Sequence, residues 1–254
     1  MIVRFARLAV VLAAAAALAA CASPFAPQYE YEEQLYLSVD GRATVVIDSS
    51  LHALIALRGA DIDPSPGGPI DRELIRTSYE SANCDVDVSR SWTRKGRHYV
   101  QVVIETDDVR TLSQCGLLAW SSYALTRLDD GGLLYQQAVG PPAKPASEPK
   151  ANWDGSEVVA FRLHLPSRIR YHNVKLLNGE NGTQERGNIL TWEQRLTDRR
   201  AGVPLAMRVD MDSTSILNTT LWIFGSAFAA AVLVLVLIIW MVIRRGKKVT
   251  WTTT

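Results

Sequence analysis

The sequence predicts an α+β ectodomain, built mostly of antiparallel β-hairpins with two or three short helices, followed by one C-terminal transmembrane helix. Residues 221–243 contain no charge and no proline. As a helix they would be roughly 34 Å long, against a hydrocarbon core of roughly 30 Å. Before them, short stretches that alternate apolar and polar residues are joined by turn dipeptides such as Asp40-Gly41. Stretches with helix-start signals lie between these hairpins, which is an α+β order of elements.

The first 20 residues have the features of a lipoprotein signal peptide. Arg4 and Arg7 form a short positive region, and the apolar run at residues 8–18 is too short to span a bilayer comfortably. Leu18-Ala19-Ala20-Cys21 follows directly and resembles the bacterial lipobox, whose cysteine is acylated after cleavage. We therefore predict lipidation of Cys21, with residues 21–28 as a lipidated tether. Acyl chains together with a transmembrane helix would make attachment permanent.

Residues 29–139 are predicted to form the α+β part of the ectodomain, in the order ββα-ββα-ββ. Three hairpins join residues 29–39 to 43–47, 85–92 to 99–105, and 123–128 to 133–139. Helices are predicted at residues 51–57, at 72–81 after the N-cap Asp71, and in a short turn from Asp107 or Asp108 to Leu112.

Two cysteines remain in the mature ectodomain, Cys84 and Cys115. In an oxidising compartment, an even number of cysteines indicates a disulfide bond. Two separate buried thiols are the alternative, because a sequence does not show the Cα separation that a bridge requires.

Residues 140–156 are polar and rich in proline, which predicts a linker or long loop. Residues 157–215 are predicted to form an antiparallel β part near the membrane. Within it, residues 157–172 alternate so regularly that one strand is expected, with Pro166 marking an edge position or a bend. One parity is apolar, and the other forms a basic stripe: Arg162, His164, Arg168, Arg170 and His172.

The transmembrane helix is predicted within residues 217–243, and residues 244–254 form a basic tail. Arg244, Arg245, Lys247 and Lys248 are expected to stay in the cytoplasm by the positive-inside tendency. The ectodomain then lies outside the bacterial inner (cytoplasmic) membrane, held by a lipid at its N-terminus and one span at its C-terminus.

Composition and motifs argue against several functional classes. The net charge of +1 creates no global field for nucleic acid, so no nucleic-acid partner is expected. No CxxC, HExxH or paired His/Cys spacing predicts a metal site, and no cofactor is expected. No GxSxG or Gly-rich phosphate loop is present. Carboxylates such as Asp85, Asp87, Asp107 and Asp108 are more typical of solvated or capping positions, so catalysis is not predicted.

The order of the parts resembles the LppM-like bacterial lipoproteins (the DUF3153 group). The corresponding features are the lipobox, the Asp40-Gly41 hairpin, the terminal span and these motifs: Leu165-Pro166, Asn178-Gly179, Gly187-Asn188 and Leu190-Thr191-Trp192. The longer segment at 140–152 and the two ectodomain cysteines depart from the pattern. The resemblance implies a surface-anchored β/α module that handles envelope lipids or glycolipids, and it transfers no catalytic residue.

Two functional hypotheses follow. The first is a membrane-tethered module that binds an amphipathic envelope lipid or glycolipid. Its basic stripe would meet anionic head groups, although a half-buried strand with one solvated charged face has the same pattern. The second is a scaffold or accessory subunit of an inner-membrane complex. It would use small residues such as Gly225 and Ser226 to pack the transmembrane helix against a protein partner, although plain lipid-facing composition explains these residues equally well.

Overall fold

The structure is a computed structural model that describes residues 28–65, 67–144 and 149–246. The signal peptide, Cys21, Lys247 and Lys248 lie outside the described residues. Within the described residues there are ten strands: β1 (Tyr29–Leu37), β2 (Ala43–Ser50), β3 (Asp85–Arg94), β4 (Arg97–Thr106), β5 (Ser121–Arg127), β6 (Leu133–Val139), β7 (Val158–His164), β8 (Ser167–His172), β9 (Ile189–Arg195) and β10 (Leu205–Ser215). The α-helices are α1 (Leu51–Arg58), α2 (Arg72–Tyr79), α3 (Leu196–Arg200) and α4 (Ile216–Gly246), and two 3-10 turns cover Val109–Gln114 and Gly116–Leu118.

The strands form two sheets, which confirms the predicted α+β fold class. The six-stranded sheet has the order β3-β4-β2-β1-β7-β9, and the four-stranded sheet has the order β5-β6-β10-β8. All pairs are antiparallel except β1 with β7, which is parallel. Strands from before and after residues 140–156 therefore pair within both sheets. The expectation of a separate antiparallel part at 157–215 is wrong, because β7 and β9 complete the sheet that β1 begins.

The core lies between the two sheets. Alternate residues of β1 and β2, such as Leu35 and Ile47, are buried, as the period of two requires. Helix α1 is buried at all eight positions. The Ser50 side chain accepts a hydrogen bond from the Ala53 amide at its start, and Gly59 with φ 68° ends it. The central helix is therefore short and capped at both ends.

The stretch at residues 157–172 is not one strand. Strand β7 belongs to the six-stranded sheet and β8 to the four-stranded sheet, with Leu165 and Pro166 between them. Proline has no N–H to give to a ladder, so the chain leaves one sheet and enters the other there. The predicted bend at Pro166 is confirmed. The prediction of one continuous strand is wrong.

The proline-rich segment at residues 140–156 has no strand or helix among its described residues. It is held against the ectodomain at several points. Arg199 Nη2 donates to the Gly140 carbonyl at 2.9 Å, the Ala143 amide donates to the Leu57 carbonyl at 3.0 Å, and Arg97 Nη1 donates to the Asn152 carbonyl at 3.2 Å. The segment is therefore a bound long loop.

Helix α4 follows β10 with no residue between them. Its stretch Thr220–Arg244, 25 residues, is the one helix in the described part of the chain long and apolar enough to cross a membrane, and no residue in its most apolar part is buried by the rest of the protein. Near its end, the Arg244 guanidinium lies 4.8 Å from the centre of the Trp240 ring. A C-terminal apolar helix of this length and composition fits a membrane-associated protein.

Candidate functional site

One end of both sheets is defined by the start of α4, and we call it the α4 end. The Ile216 amide donates to the Pro166 carbonyl at 2.9 Å, so β7 and β10 both finish there. Because β1 is parallel to β7, with Tyr36 opposite His164, β1 also finishes at this end. The pairings of β2 with β1 and β4, and of β3 with β4, place the start of β2, the end of β4 and the start of β3 beside it.

A groove of about 750 Å³ opens at the α4 end of the six-stranded sheet. We call it the end groove. Its walls are the turn after β1, the start of β2, the start of β3 and the segment from the end of β4 into the first 3-10 turn. Among its lining residues are Tyr36, Arg42, Asn83, Asp85, Glu105 and Asp107. The lining is mostly polar, so the groove suits a polar group rather than an acyl chain.

The carboxylates of the end groove are only partly compensated. Asp85 and Glu105 lie directly opposite each other on β3 and β4, an arrangement of like charges that destabilises an antiparallel pair. Neither forms a salt bridge with another described residue. Asp108, by contrast, accepts a hydrogen bond from the Arg110 amide at 2.9 Å and pairs with its guanidinium. Unpaired carboxylates accept hydrogen bonds from hydroxyl or amino groups and repel phosphate.

A disulfide bond between Cys84 and Cys115 supports the groove wall, with a Cα separation of 5.9 Å. It joins the residue before β3 to the residue after the first 3-10 turn, and Cys84 lines the groove. Gly116 follows, and a Cβ atom there would lie 1.9 Å from the Ser78 carbonyl oxygen. The wall is thus a close contact between α2 and the 3-10 turns.

The basic stripe predicted from the sequence is divided between the two sheets. Arg162 and His164 lie on β7. Arg162 Nη1 forms a salt bridge with Glu32 at 2.8 Å, and its Nε donates to Thr191 at 3.2 Å. The His164 ring stacks on Tyr36 with 3.9 Å between ring centres. Burial, and then the charge of Arg162, lower the pKa of His164, so this imidazole favours its neutral form.

Arg168, Arg170 and His172 lie on β8, at the edge of the other sheet. Arg170 bridges two carboxylates, with Asp212 at 2.5 Å and Asp130 at 2.6 Å. The Arg168 side chain is 79% exposed, with Asp212 at 3.5 Å. His172 is half-buried and pairs with Val209. The five residues therefore do not form one continuous face.

A register shift in β8 explains a second difference from the predicted alternation. Ile169 pairs with Met211 and Tyr171 with Asp210, with a bulge between the two pairs. Met211 is buried, whereas Tyr171 is 51% exposed. The prediction that Ile169 and Tyr171 share an apolar face is wrong, because one extra residue in a strand reverses the side on which the next side chain lies.

A buried polar centre between the sheets was not predicted. Glu33 accepts hydrogen bonds from Gln137 at 2.8 Å, Tyr123 at 3.1 Å and Arg58 at 2.9 Å. The Arg58 guanidinium also lies against the Trp120 ring, 3.3 Å from its centre. A signal for this centre is present in β1, where Glu33 occupies the same parity as the apolar Tyr31 and Leu35. A charge at a core-facing position implies a buried partner.

Within the described residues, no group of three or more His, Cys, Asp or Glu side chains is arranged to hold a metal ion. The carboxylates of the end groove can accept hydrogen bonds from a polar ligand.

No family model matches the chain, and no curated protein matches it. Among solved structures, the chain is similar to the folded domain of LppM from Mycobacterium tuberculosis, determined by NMR. The alignment covers 77% of this chain and 96% of that domain, with 12% sequence identity and a TM-score of 0.36. A likeness at this level assigns neither family nor function, so the LppM-like relationship remains a prediction.

Proposed function

We propose that the protein is a non-catalytic, membrane-anchored envelope lipoprotein whose ectodomain binds or presents an amphipathic envelope lipid or glycolipid. The observation that carries this proposal is the position of the end groove at the end of the sheets where α4 begins. With α4 in a bilayer, lipid head groups are the molecules closest to that groove.

The lining of the end groove favours a head group that bears hydroxyl or amino groups. Asp85, Glu105 and Asn83 offer acceptor oxygens, and Arg42 offers donors. Tyr36, 43% exposed, presents an aromatic ring beside them. A ligand with several donors would offset the repulsion between Asp85 and Glu105, so binding and local stability would be coupled.

The basic stripe offers fewer contacts to anionic head groups than the sequence suggested. Arg162 and Arg170 already neutralise carboxylates at hydrogen-bonding distance. A lipid phosphate would have to displace those partners. Arg168 is the arginine of the stripe most exposed to solvent and lies near the α4 end. We assign the contact with anionic head groups to Arg168, worth about 1 kcal/mol.

Native mass spectrometry of the full chain, extracted in mild detergent, tests the proposal. We expect retained lipid in the wild type, and at least a fivefold lower lipid-bound fraction in the double variant Asp85→Asn/Glu105→Gln. The matched control is Asp87→Asn, since Asp87 is also exposed on β3 but does not line the groove. Absence of retained lipid in the wild type, or equal retention in both variants, would contradict lipid binding at this groove.

The second candidate function is a scaffold or accessory subunit of an inner-membrane complex. It is favoured by the exposure of the apolar stretch in α4, which leaves its faces free for another helix. Site-specific crosslinking from Ser226 in intact membranes discriminates between the two functions. One protein partner at a fixed stoichiometry would favour the scaffold, and crosslinks to lipid alone would favour the binding module.

A further inference from the structure

Two buried arginines share one tryptophan ring inside the ectodomain. The guanidinium carbon of Arg58, on α1, lies 3.3 Å from the centre of the Trp120 ring, and that of Arg199, on α3, lies 5.6 Å from it. The exposed fractions of Arg58 and Arg199 are 5% and 0%. Arginine is seldom fully buried without a carboxylate to pair with it.

The described residues supply one carboxylate for these two cations. Glu33 pairs with Arg58, and its two oxygens also accept hydrogen bonds from Tyr31, Tyr123 and Gln137. Arg199 forms no salt bridge with another residue that the structure describes. It donates instead to the Gly140 carbonyl at 2.9 Å and, at 3.4 Å, to Gln194. Counted over the residues that the structure describes, the centre therefore carries one positive charge in excess.

The mutual influence of the two cations is visible at Arg199. Its burial, and then the positive charge of Arg58, lower the pKa of the Arg199 guanidinium. Arginine nevertheless keeps its proton in proteins, because its ordinary pKa is so high. The two guanidinium groups therefore repel each other and cannot relieve the repulsion by losing a proton. Another group must offset it.

The buried nitrogens without a partner in this centre are N–H donors. Nε and Nη1 of Arg58, Nε of Arg199 and Nε1 of Trp120 are buried and have no acceptor among the described residues. The hydroxyl of Tyr79 is also buried and has no hydrogen-bond partner in the described part of the chain. Buried donors in native proteins are almost always paired. An excess of donors together with an excess of positive charge is the complement of an anion.

We propose that the ectodomain binds one small monovalent anion of the halide class, such as chloride, at the unpartnered N–H groups of Arg58, Arg199 and Trp120, beside the contact of the Arg58 guanidinium with the Trp120 ring. The anion neutralises the excess charge and accepts the unpartnered N–H groups. The burial of both arginines favours a monatomic ion over a lipid phosphate, and the site is independent of the end groove. The anion would stabilise the contact of α1 and α3 with the loop that begins at Gly140.

Thermal unfolding of the full chain in detergent tests this proposal at constant ionic strength, with chloride replaced by gluconate. Gluconate is too large and too strongly hydrated to enter such a centre. We expect a saturable rise of about 5 °C in the unfolding midpoint between chloride-free and saturating chloride buffer. Bromide should reproduce the rise.

Arg199→Gln removes the excess charge and keeps a side-chain donor for the Gly140 carbonyl, so we expect it to lose the chloride dependence. The matched control Arg195→Gln changes an exposed arginine at the end of β9 and should keep the full rise. If Arg199→Gln does not fold, ³⁵Cl NMR of the wild type decides: the chloride signal should broaden and recover when bromide is added. No saturable midpoint shift in the wild type, an equal shift in Arg199→Gln, or no broadening would overturn the proposal.

Discussion

The position of Glu33 in its strand is enough to predict that its side chain is buried. Its parity in β1, shared with Tyr31 and Leu35, indicates a core-facing side chain, and the structure buries it. Its partners Arg58, Tyr123 and Gln137 come from α1 and two strands of the opposite sheet. The need for a partner can be inferred from the sequence. The identity of the partner cannot, because Gln137 lies 104 residues away.

Glu33→Gln should cost about 3–5 kcal/mol of unfolding free energy, because it leaves Arg58 buried without a counter-charge. Chemical denaturation of the full chain in detergent measures the loss. Glu73→Gln is the matched control, since it breaks the exposed pair with Arg76 on α2 and should cost no more than about 1 kcal/mol. Similar losses in the two variants would contradict the assigned role of Glu33.

Single residues also set the register in which the strands pair. The alternation at residues 157–172 is regular in the sequence, but Pro166 moves the chain between sheets and a bulge in β8 exposes Tyr171. A pattern of period two describes one uninterrupted strand. It does not record that the second half pairs with β10 in another sheet.

At the scale of elements, the three hairpins and the helices α1 and α2 follow from local signals. The Asp40-Gly41 turn joins β1 to β2, and Ser50 and Asp71 cap the two helices. These features depend on residues a few positions apart, which is why the sequence predicts them well. The end groove depends on four elements that meet only in the folded chain.

The Cys84–Cys115 disulfide couples two of those elements across a sequence separation of 31. Closing a loop of that length should contribute about 3–4 kcal/mol. We expect a reducing agent to lower the unfolding midpoint of the wild type by about 6–16 °C. The double variant Cys84→Ser/Cys115→Ser should start at the lower midpoint and not respond to reductant, as circular dichroism can check. A wild-type midpoint that is unchanged on full reduction would rule out a stabilising role.

At the scale of the whole molecule, the two predicted anchors constrain how the ectodomain sits on the bilayer. The β1 strand begins at the end opposite the α4 end and is about 30 Å long. From Cys21 to Tyr29 the chain reaches at most about 29 Å. If Cys21 is lipidated in the same membrane as α4, even a fully extended tether is slightly shorter than upright β1, so the strands must tilt towards the surface. Such a tilt keeps the end groove close to the head groups.

Cysteine labelling with a membrane-impermeant maleimide checks the predicted orientation. Lys144→Cys lies at an exposed position of the proline-rich loop. It should react in intact cells in which the maleimide can reach the outer face of the cytoplasmic membrane. Thr254→Cys should react only after permeabilisation, because the basic tail is expected in the cytoplasm. Both variants are made with Cys21→Ser, which should leave the protein in the membrane fraction after a salt wash, since α4 alone anchors it. Reaction of both positions from the same side would contradict the topology.

Local signals in the sequence are sufficient to predict the apolar C-terminal helix, the α+β class and the three early hairpins. Each of these depends on periodicity or turn residues within a short window, where the physics is local. The folded chain was needed to show that β7 joins β1, that the basic stripe is divided between two sheets, and that Arg58 and Arg199 meet at Trp120. Those arrangements join residues far apart in the chain, and their energy depends on burial and on charge compensation, which exist only once the chain is folded.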